Sequence, residues 1–426
     1  MGGVAKTRDQ SRHRDKIGVS NIVNRFVAAE RALRSAAPHQ LVDAVREVLC
    51  NEYAATSVQL FLADYGLATL QPVPADHGSG GSRPGHPALS PPEPMPAHGS
   101  PAGRAFGAQE PFVEKLTEGR VRLYLPVTVR GDRLGVLAVT MPSADRAEEC
   151  LDELADVAQV LGHEVIVADR DTDLYLRARR TDRLTLAAEM QWQLLPGRSC
   201  TRAEYALGAQ LEPAYAIFGD NFDWSADADR LMLYITNGMG EGIEASLLTN
   251  LGINALRNAR RAGLSIADQA ALADQAVYAQ HRGDAHLSVL LLDLDLRTGR
   301  LQVIDAGSPQ MLRLRGRTVT AFEFEAQLPL GMFEETDYVA QALDIDLEPG
   351  DRLVFASDGV YGVAAPGGER YGERALARAI VSTSLLPAAE VPRAVLRELA
   401  GHRGTPVPDD DALVVCLDWF GPRQKP

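Results

Sequence analysis

Five segments in the second half of this chain, residues 231–235, 287–293, 301–304, 352–356 and 412–417, are β-rich runs, and several are apolar at almost every position. A strand with one face in water alternates between apolar and polar residues, so a continuous apolar run demands burial on both faces. Between the first two runs, Ile243 to Ala262 and Ile266 to Arg282 read as helices. Two packed sheets covered on both sides by helices meet all of these demands. The expected class is therefore α+β, with an αββα sandwich of two antiparallel sheets. At 426 residues and 46% hydrophobic content, the chain is long enough for two or three such cores.

Carboxylates gather where these strands end. Gly219-Asp220-Asn221-Phe222-Asp223 precedes the 231–235 run, and Thr236-Asn237-Gly238-Met239-Gly240-Glu241-Gly242 follows it. Asp358-Gly359 and Asp409-Asp410 sit beside the two later runs. Taken alone, an aspartate at a strand end is a turn or cap residue. Several converging on one end form the hard-oxygen environment that Mg²⁺ or Mn²⁺ requires.

The first half is organised differently. Residues 1–24 read as a charged, mobile tail without the apolar core of a signal peptide, and Lys6 stands where a myristoylation signal has Ser or Thr. Asn24 to Tyr53 is helical with a break at Pro38, and Ser57 to Leu62 is a strand. Residues 71–97, rich in Pro, Gly, Ser and His, form a long loop inside the first domain. Val121 to Val129 and Leu134 to Val139 make a hairpin around Arg130-Gly131-Asp132-Arg133. Then comes one long helical stretch or two joined ones, 150–195, with Leu154, Val157, Leu161 and Val165 at helical spacing and Leu184, Ala187, Gln191 and Leu194 repeating the pattern. Its charge-dense middle, 169–183, is a solvated helix face or part of a two-stranded coiled coil. The coiled coil would cover the apolar stripe and make the protein a homodimer.

Two resemblances add to this. Gly99-Ser100-Pro101-Ala102-Gly103-Arg104-Ala105-Phe106, with Leu123-Tyr124-Leu125-Pro126-Val127 and Arg133-Leu134-Gly135-Val136-Leu137, resembles a GAF sensor domain. That resemblance implies a sheet with a loop-covered side that holds a small ligand or serves as a dimerisation platform. No Cys or His is placed for haem or a metal. The expected organisation is a tail at 1–24, a sensor domain at 25–149, a helical linker at 150–196 and a second domain at 197–420.

That second domain resembles the metal-dependent serine/threonine protein phosphatases of the PPM family, in the SpoIIE-like branch that controls bacterial sigma-factor switches. The motifs run in family order: Met190-Gln191-Trp192-Gln193-Leu194-Leu195-Pro196, Glu212-Pro213-Ala214-Tyr215, Gly219-Asp220, Gly238-Met239-Gly240, Asp305-Ala306-Gly307, Leu328-Pro329-Leu330-Gly331, Leu347-Glu348-Pro349-Gly350-Asp351, Ser357-Asp358-Gly359-Val360 and Asp409-Asp410-Asp411-Ala412-Leu413. The resemblance implies that Asp220, Asp358 and Asp409, with the Gly238 carbonyl, coordinate Mn²⁺ or Mg²⁺. Asp220 and Asp358 would be the catalytic residues. Two ions so held acidify a bridging water that attacks the phosphoryl group.

The sequence departs from the family pattern at this centre. Asn237 replaces the aspartate that bridges both ions, Glu241 replaces a histidine, and Ser308 stands where histidine is favoured. Two readings follow. One is a sensor-gated phosphatase acting on phosphoserine or phosphothreonine of a regulatory partner such as an anti-sigma-factor antagonist. The alternative is a pseudophosphatase that keeps the fold as a binding module.

Charge and composition narrow the partners. A net charge of −14 argues against nucleic acid, whose backbone is gripped by Lys and Arg. No apolar run approaches the roughly 20 residues of a membrane span. Four widely spaced cysteines, Cys50, Cys150, Cys200 and Cys416, read as reduced thiols of a cytoplasmic protein. Arg257, Arg260 and Arg261 read as a solvated helix face, or as a charge that steers an acidic partner.

Overall fold

A computed structural model describes residues 25–74, 92–212, 219–307, 309–334, 336–343, 347–372, 374–404 and 410–422. The expected tail, most of the 71–97 loop, Pro213-Ala214-Tyr215, Ser308 and Asp409 lie outside them. Contacts divide the chain into two compact units, 1–181 and 182–426.

The first unit is a six-stranded antiparallel sheet with helices on both faces. Its elements are α1 (25–35), α2 (Leu41–Tyr53), β1 (Ser57–Ala63), β2 (Thr69–Pro72), β3 (Met95–Pro96), α3 (Pro101–Ala108), β4 (Phe112–Lys115), β5 (Val121–Val129), β6 (Asp132–Met141), α4 (Ala144–Ala168) and α5 (Leu174–Ala178). The strand order is β3-β2-β1-β6-β5-β4. The expected 71–97 loop is thus shorter at both ends, because Thr69 and Leu70 pair with Pro96 and Met95. The β5–β6 hairpin turns at Arg130 and Gly131, both with positive φ (53° and 91°), as a tight two-residue connection requires.

Alternation along the strands sorts residues to two cores. Val58, Leu60 and Leu62 of β1 face α1, α2 and α4, while Phe61 and Ala63 face α3. Glu153 of α4 holds the helical layer together, accepting from Arg25 at 2.7 Å and from the Tyr53 hydroxyl at 3.0 Å.

Here the expected linker is corrected. The stretch from 150 is not one long helix; it forms the greater part of α4, then α5, then a separate helix in the second unit. Leu154, Val157, Leu161 and Val165 are buried in the first unit's own core. The sheet beneath α4, rather than a second chain, covers the stripe that suggested a coiled coil. The helix ends where Asp169 and Thr172 turn back onto Val165 and Ala168, and Tyr175 of α5 anchors the next turn by donating to the Pro38 carbonyl at 2.6 Å.

The second unit stacks two antiparallel sheets between helices. It comprises α6 (Leu186–Leu194), β7 (Ser199–Thr201), β8 (Tyr205–Glu212), β9 (Asp220–Ala226), β10 (Arg230–Gly238), α7 (Gly242–Arg261), α8 (Ile266–His281), β11 (Leu287–Asp295) and β12 (Leu301–Ala306). Then follow β13 (Gln310–Arg315), β14 (Thr318–Ala321), β15 (Gln341–Leu343), β16 (Arg352–Ala356), α9 (Asp358–Tyr361), α10 (Ala375–Ser382), α11 (Val391–Arg403) and β17 (Ala412–Trp419). One sheet runs β15-β12-β11-β10-β9 and the other β14-β13-β16-β17-β8-β7.

Helices α7 and α8 cover the first sheet through Tyr234, Leu256, Val289 and Leu291, and α10 and α11 cover the second through Val354, Ile380, Val395 and Val414. The alternate residues, among them Leu233, Leu292, Phe355 and Val415, are buried as well, so these strands are enclosed on both faces. Contacts of β9 with β8 and β17 join the sheets. The expected strands and helices of this half are all present. Among the described residues no helix is long and apolar enough to cross a membrane, and the four cysteines are free thiols.

Two measurements test the first unit. Leu154→Ala is expected to lower its stability by about 2–5 kcal/mol, with a chemical-denaturation midpoint independent of protein concentration; a midpoint that rises with concentration would instead mean that the stripe is shared with a second chain. Burial pushes the Asp169 carboxyl from 3.8 up to about 6, against the pull of Arg179. The folded state therefore holds a proton that the unfolded chain releases, and stability falls as pH rises through this window. Asp169→Asn is expected to flatten that slope in unfolding curves recorded from pH 4 to pH 7.

Candidate active site

Three segments bring acidic residues to one end of the stacked sheets, and a fourth brings Asn237. Asp220 opens β9 and lies directly opposite Asn237, near the end of β10. Asp358 opens the short helix α9 just after β16, and Asp410 and Asp411 immediately precede β17. Because Ala356 of β16 pairs with Val414 of β17, the end of one strand and the start of the other lie side by side. Strand topology thus assembles residues more than 100 positions apart.

Asp411 fixes this end mechanically. Its Oδ2 accepts from the backbone N–H of Gly219 at 2.9 Å and of Asp220 at 3.2 Å. Gly238 N–H of β10 and the Thr249 hydroxyl of α7 both donate to the Gly219 carbonyl, at 3.1 and 2.9 Å. A Cβ on Gly219 would approach the Gly238 carbonyl oxygen to 2.2 Å, and one on Gly359 would approach the Asp411 carbonyl oxygen to 1.7 Å. Only glycine fits at either crossing. Buried Gln191 of α6 donates its side-chain amide to the Asp220 carbonyl, so the Met190–Pro196 motif supports the site from behind. The Leu328–Gly331 motif lies alongside, since Leu330 and Leu287 exchange both backbone hydrogen bonds at 2.9 Å and Leu287 pairs with Gly238.

The electrostatics are dominated by burial. Asp220 is only 2% exposed, and neither of its carboxylate oxygens has a hydrogen-bond partner. Burial pushes its carboxyl well above the ordinary range, Asp411 pushes it further, and Asp358 and Asp410 add to this. The nearby Ser357 hydroxyl opposes the shift, favouring the charged form without closing a hydrogen bond to either oxygen. Asp410 is raised by partial burial and by Asp358, and the Tyr361 phenol is pushed up to about 12 by burial and by Asp358, Asp220 and Asp305.

Asn237 takes a definite role. Its Nδ2 donates to Asp358 Oδ1 at 2.7 Å, and Gly359 N–H donates to the same oxygen at 3.1 Å. An aspartate here would present an oxygen to that oxygen; the amide presents a donor. The carboxylate that would share a pair of metals is thus already satisfied by a neutral neighbour. Glu241 does not restore the missing charge, because it stands exposed at the start of α7, its side chain making no capping hydrogen bond.

The donor set fits one hard cation beside Asp220, whose two buried oxygens otherwise lack any partner. It does not fit a second ion bridged at Asn237. Among the described residues, no three His, Cys, Asp or Glu side chains form a finished metal cage. The structure brings Asp220, Asn237, Gly238 and Asp358 together through the β9–β10 pairing and the Asn237–Asp358 hydrogen bond, while Asp409 lies outside the described residues. Asp410 was expected among the strand-end carboxylates, whereas Asp411 stood in the same motif without an expected role; a run of three aspartates directly before an apolar strand was the signal available. Arg257 and Arg260 correct their expectation as a solvated face: both bind buried Asp223, at 2.6 and 2.9 Å, and hold α7 to β9.

Comparison with known proteins shows what this chain is similar to. A profile described as Stage II sporulation protein E (SpoIIE) matches residues 227–420. The phosphoserine phosphatase RsbU of Bacillus subtilis (strain 168) is 22% identical over 211 residues, 49% of this chain and 62% of that protein. The chain thus spans less than two thirds of that curated relative. Among solved structures, the SiaA-PP2C domain of Pseudomonas aeruginosa covers 55% of this chain and 94% of its own at 21% identity and a TM-score of 0.47. The PP2C phosphatase domain with a regulatory fragment of SpoIIE from Bacillus subtilis covers 98% of this chain and 99% of its own at 14% identity and a TM-score of 0.45.

Asn237→Asp tests the site without reference to turnover. A carboxylate facing Asp358 costs about 4 kcal/mol at 4 Å and an effective dielectric of 20. In EDTA the variant is expected to melt below the wild-type protein, and added Mn²⁺ is expected to raise its melting temperature more than it raises the wild type's. Equal melting with and without metal would show that Asn237 does not govern the site's charge.

Proposed function

Residues 227–420 of this chain belong to the SpoIIE family of PPM phosphatase domains, and on that premise we propose that the protein is a sensor-linked regulatory phosphatase acting on phosphoserine or phosphothreonine of a partner protein such as an anti-sigma-factor antagonist. The observation that carries this reading is the convergence of Asp220, Asp358, Asp410 and Asp411 from separate segments onto one end of the sandwich, with both Asp220 oxygens buried and unpartnered. The first unit supplies the GAF-like sensor in this reading.

Mg²⁺ or Mn²⁺ is the proposed cofactor, held by Asp220 with Asp409 and the Gly238 carbonyl completing its oxygens. A bound divalent ion would polarise a phosphoryl oxygen and lower the pKa of its water. The chain's own residues do the positioning. Asp411 holds Gly219 and Asp220 in place through their backbone N–H groups, Gln191 braces Asp220 from behind, and Asn237 orients Asp358. No step is assigned to a second ion, because Asn237 leaves none a bridging ligand.

A second reading is favoured by one observation, the Asn237–Asp358 hydrogen bond, which neutralises part of the site with no metal bound. In that reading the domain binds its partner without hydrolysing it. Electrostatics separates the two. Carboxylates repel a dianionic phosphate, so an ion-free site selects the unphosphorylated partner, whereas an ion-bearing site accepts the phosphorylated one.

Mn²⁺-dependent release of phosphate from a phosphoserine peptide, measured for the wild-type protein against Asp358→Asn, tests the proposal. Activity above that control is expected, rising at least about tenfold in Asn237→Asp if a lost metal contact limits the rate. Wild-type activity equal to the control, with Asn237→Asp active, would assign the natural chain to the binding role.

A further inference from the structure

The first unit carries a site that the phosphatase reading does not use. Helix α3 covers only one end of its sheet face, where Phe61, Ala63, Tyr124, Val136 and Ala138 form the small second core. The same face continues past α3, and there the residues turn polar. Ser57 of β1, Thr140 of β6 and Arg122 of β5 form one cross-strand row, with Gln59 one step along β1. They line an open cavity of about 550 Å³, completed by the β4–β5 connection with Lys115 and Arg120.

The charge of this cavity runs against that of the chain. The protein carries a net −14, yet the cavity lining holds three cations and no carboxylate. Two acids stand just outside it and are engaged: Glu114 accepts from the Tyr124 hydroxyl at 2.9 Å, and Glu118 pairs loosely with Arg120 at 3.5 Å. Arg122 is held in the face rather than flung into solvent, since its Nε donates to the Thr140 hydroxyl at 3.3 Å, and Thr140 is only 4% exposed. That bond uses one of the guanidinium's five N–H groups, and the guanidinium also bears on the Tyr124 hydroxyl, with Glu114 opposite Arg122 across the β4–β5 pairing.

We propose that this cavity binds a small, soluble phosphate-bearing metabolite. An arginine fork recognises phosphate oxygens in pairs, and a neighbouring lysine and arginine supply further charge. Threonine, serine and glutamine side chains around them suit the hydroxyls of a sugar or polyol. The lining has one apolar residue, Leu116, and no aromatic ring, so a nucleobase has nothing to stack on. The volume lies within the usual range for small-molecule sites, roughly 300–1,000 Å³. This site stands apart from the chemistry of the second unit, and its binding is read independently of any turnover.

Isothermal titration of the full-length protein with sodium pyrophosphate, in EDTA and at constant ionic strength, tests the proposal. Saturable binding at one site per chain is expected. Arg122→Gln, which removes charge-assisted hydrogen bonds, is expected to weaken it about tenfold or more. Gln59→Glu, which puts a negative charge into the lining, is expected to abolish it. Arg120→Gln alters a side chain 44% exposed, leaves the sheet intact and is expected to weaken binding without changing the melting temperature. Arg170→Gln, exposed elsewhere on the unit, is expected to bind like the wild type. Affinity unchanged in Arg122→Gln and Gln59→Glu, or no saturable binding, would overturn the proposal. So would sedimentation with phosphatidic acid vesicles without binding of pyrophosphate, which would assign the cavity to a lipid headgroup.

Discussion

The acidic end of the second unit depends on one carboxylate that faces backbone rather than ligand. Asp411, just ahead of β17 in one sheet, accepts from Gly219 and Asp220 at the head of β9 in the other. Buried backbone donors must find acceptors, and an ionised carboxylate is a strong one. The bond ties the two sheets at the place where Asp358 opens α9 and β10 ends at Asn237 and Gly238. It has a cost as well: it holds Asp411 beside Asp220, where burial and like charge push the Asp220 proton on. The glycines at 219 and 359 follow from the same closeness, since each backbone passes where a side chain would collide.

Much of this fold was legible because the second unit's strands are enclosed on both faces. Residues 289–292 and 412–417 are apolar without alternation, and such runs have few alternatives to a buried strand. The hairpin at 130–131 was legible for a different reason, a glycine between two β-rich runs. The stretch from 150 to 195 misled because helical periodicity records that a stripe is buried and not what buries it. Leu154 and Leu161 meet the chain's own sheet, which a pattern along one helix does not reveal.

The site was readable to a similar depth. Asp220, Asn237 and Asp358 converge because strand ends are fixed by strand register, and register follows from the apolar pattern. What sequence left open was the partner of each polar group. Arg257 and Arg260 carry the spacing of an exposed helix face, yet buried Asp223 claims both, a pairing set by how α7 lies across β9. Likewise, three consecutive aspartates at 409–411 do not announce which one will turn inward to hold backbone and which will stay at the surface.

Asn237 is best understood as a change in what the site can tolerate empty. A cluster of carboxylates is stable when a cation neutralises it, and each unscreened pair at 4 Å otherwise costs about 4 kcal/mol at an effective dielectric of 20. Replacing the carboxylate opposite Asp220 with an amide removes that repulsion and adds a donor for Asp358. The ion-free site becomes less strained, so the free energy gained on binding an ion falls as well. A domain altered in this way keeps its fold across a wider range of metal availability and yields some of its affinity for the second ion. The same substitution leaves Asp220 buried, raised and unpartnered, so the pull toward one cation survives on the side that Asn237 does not reach.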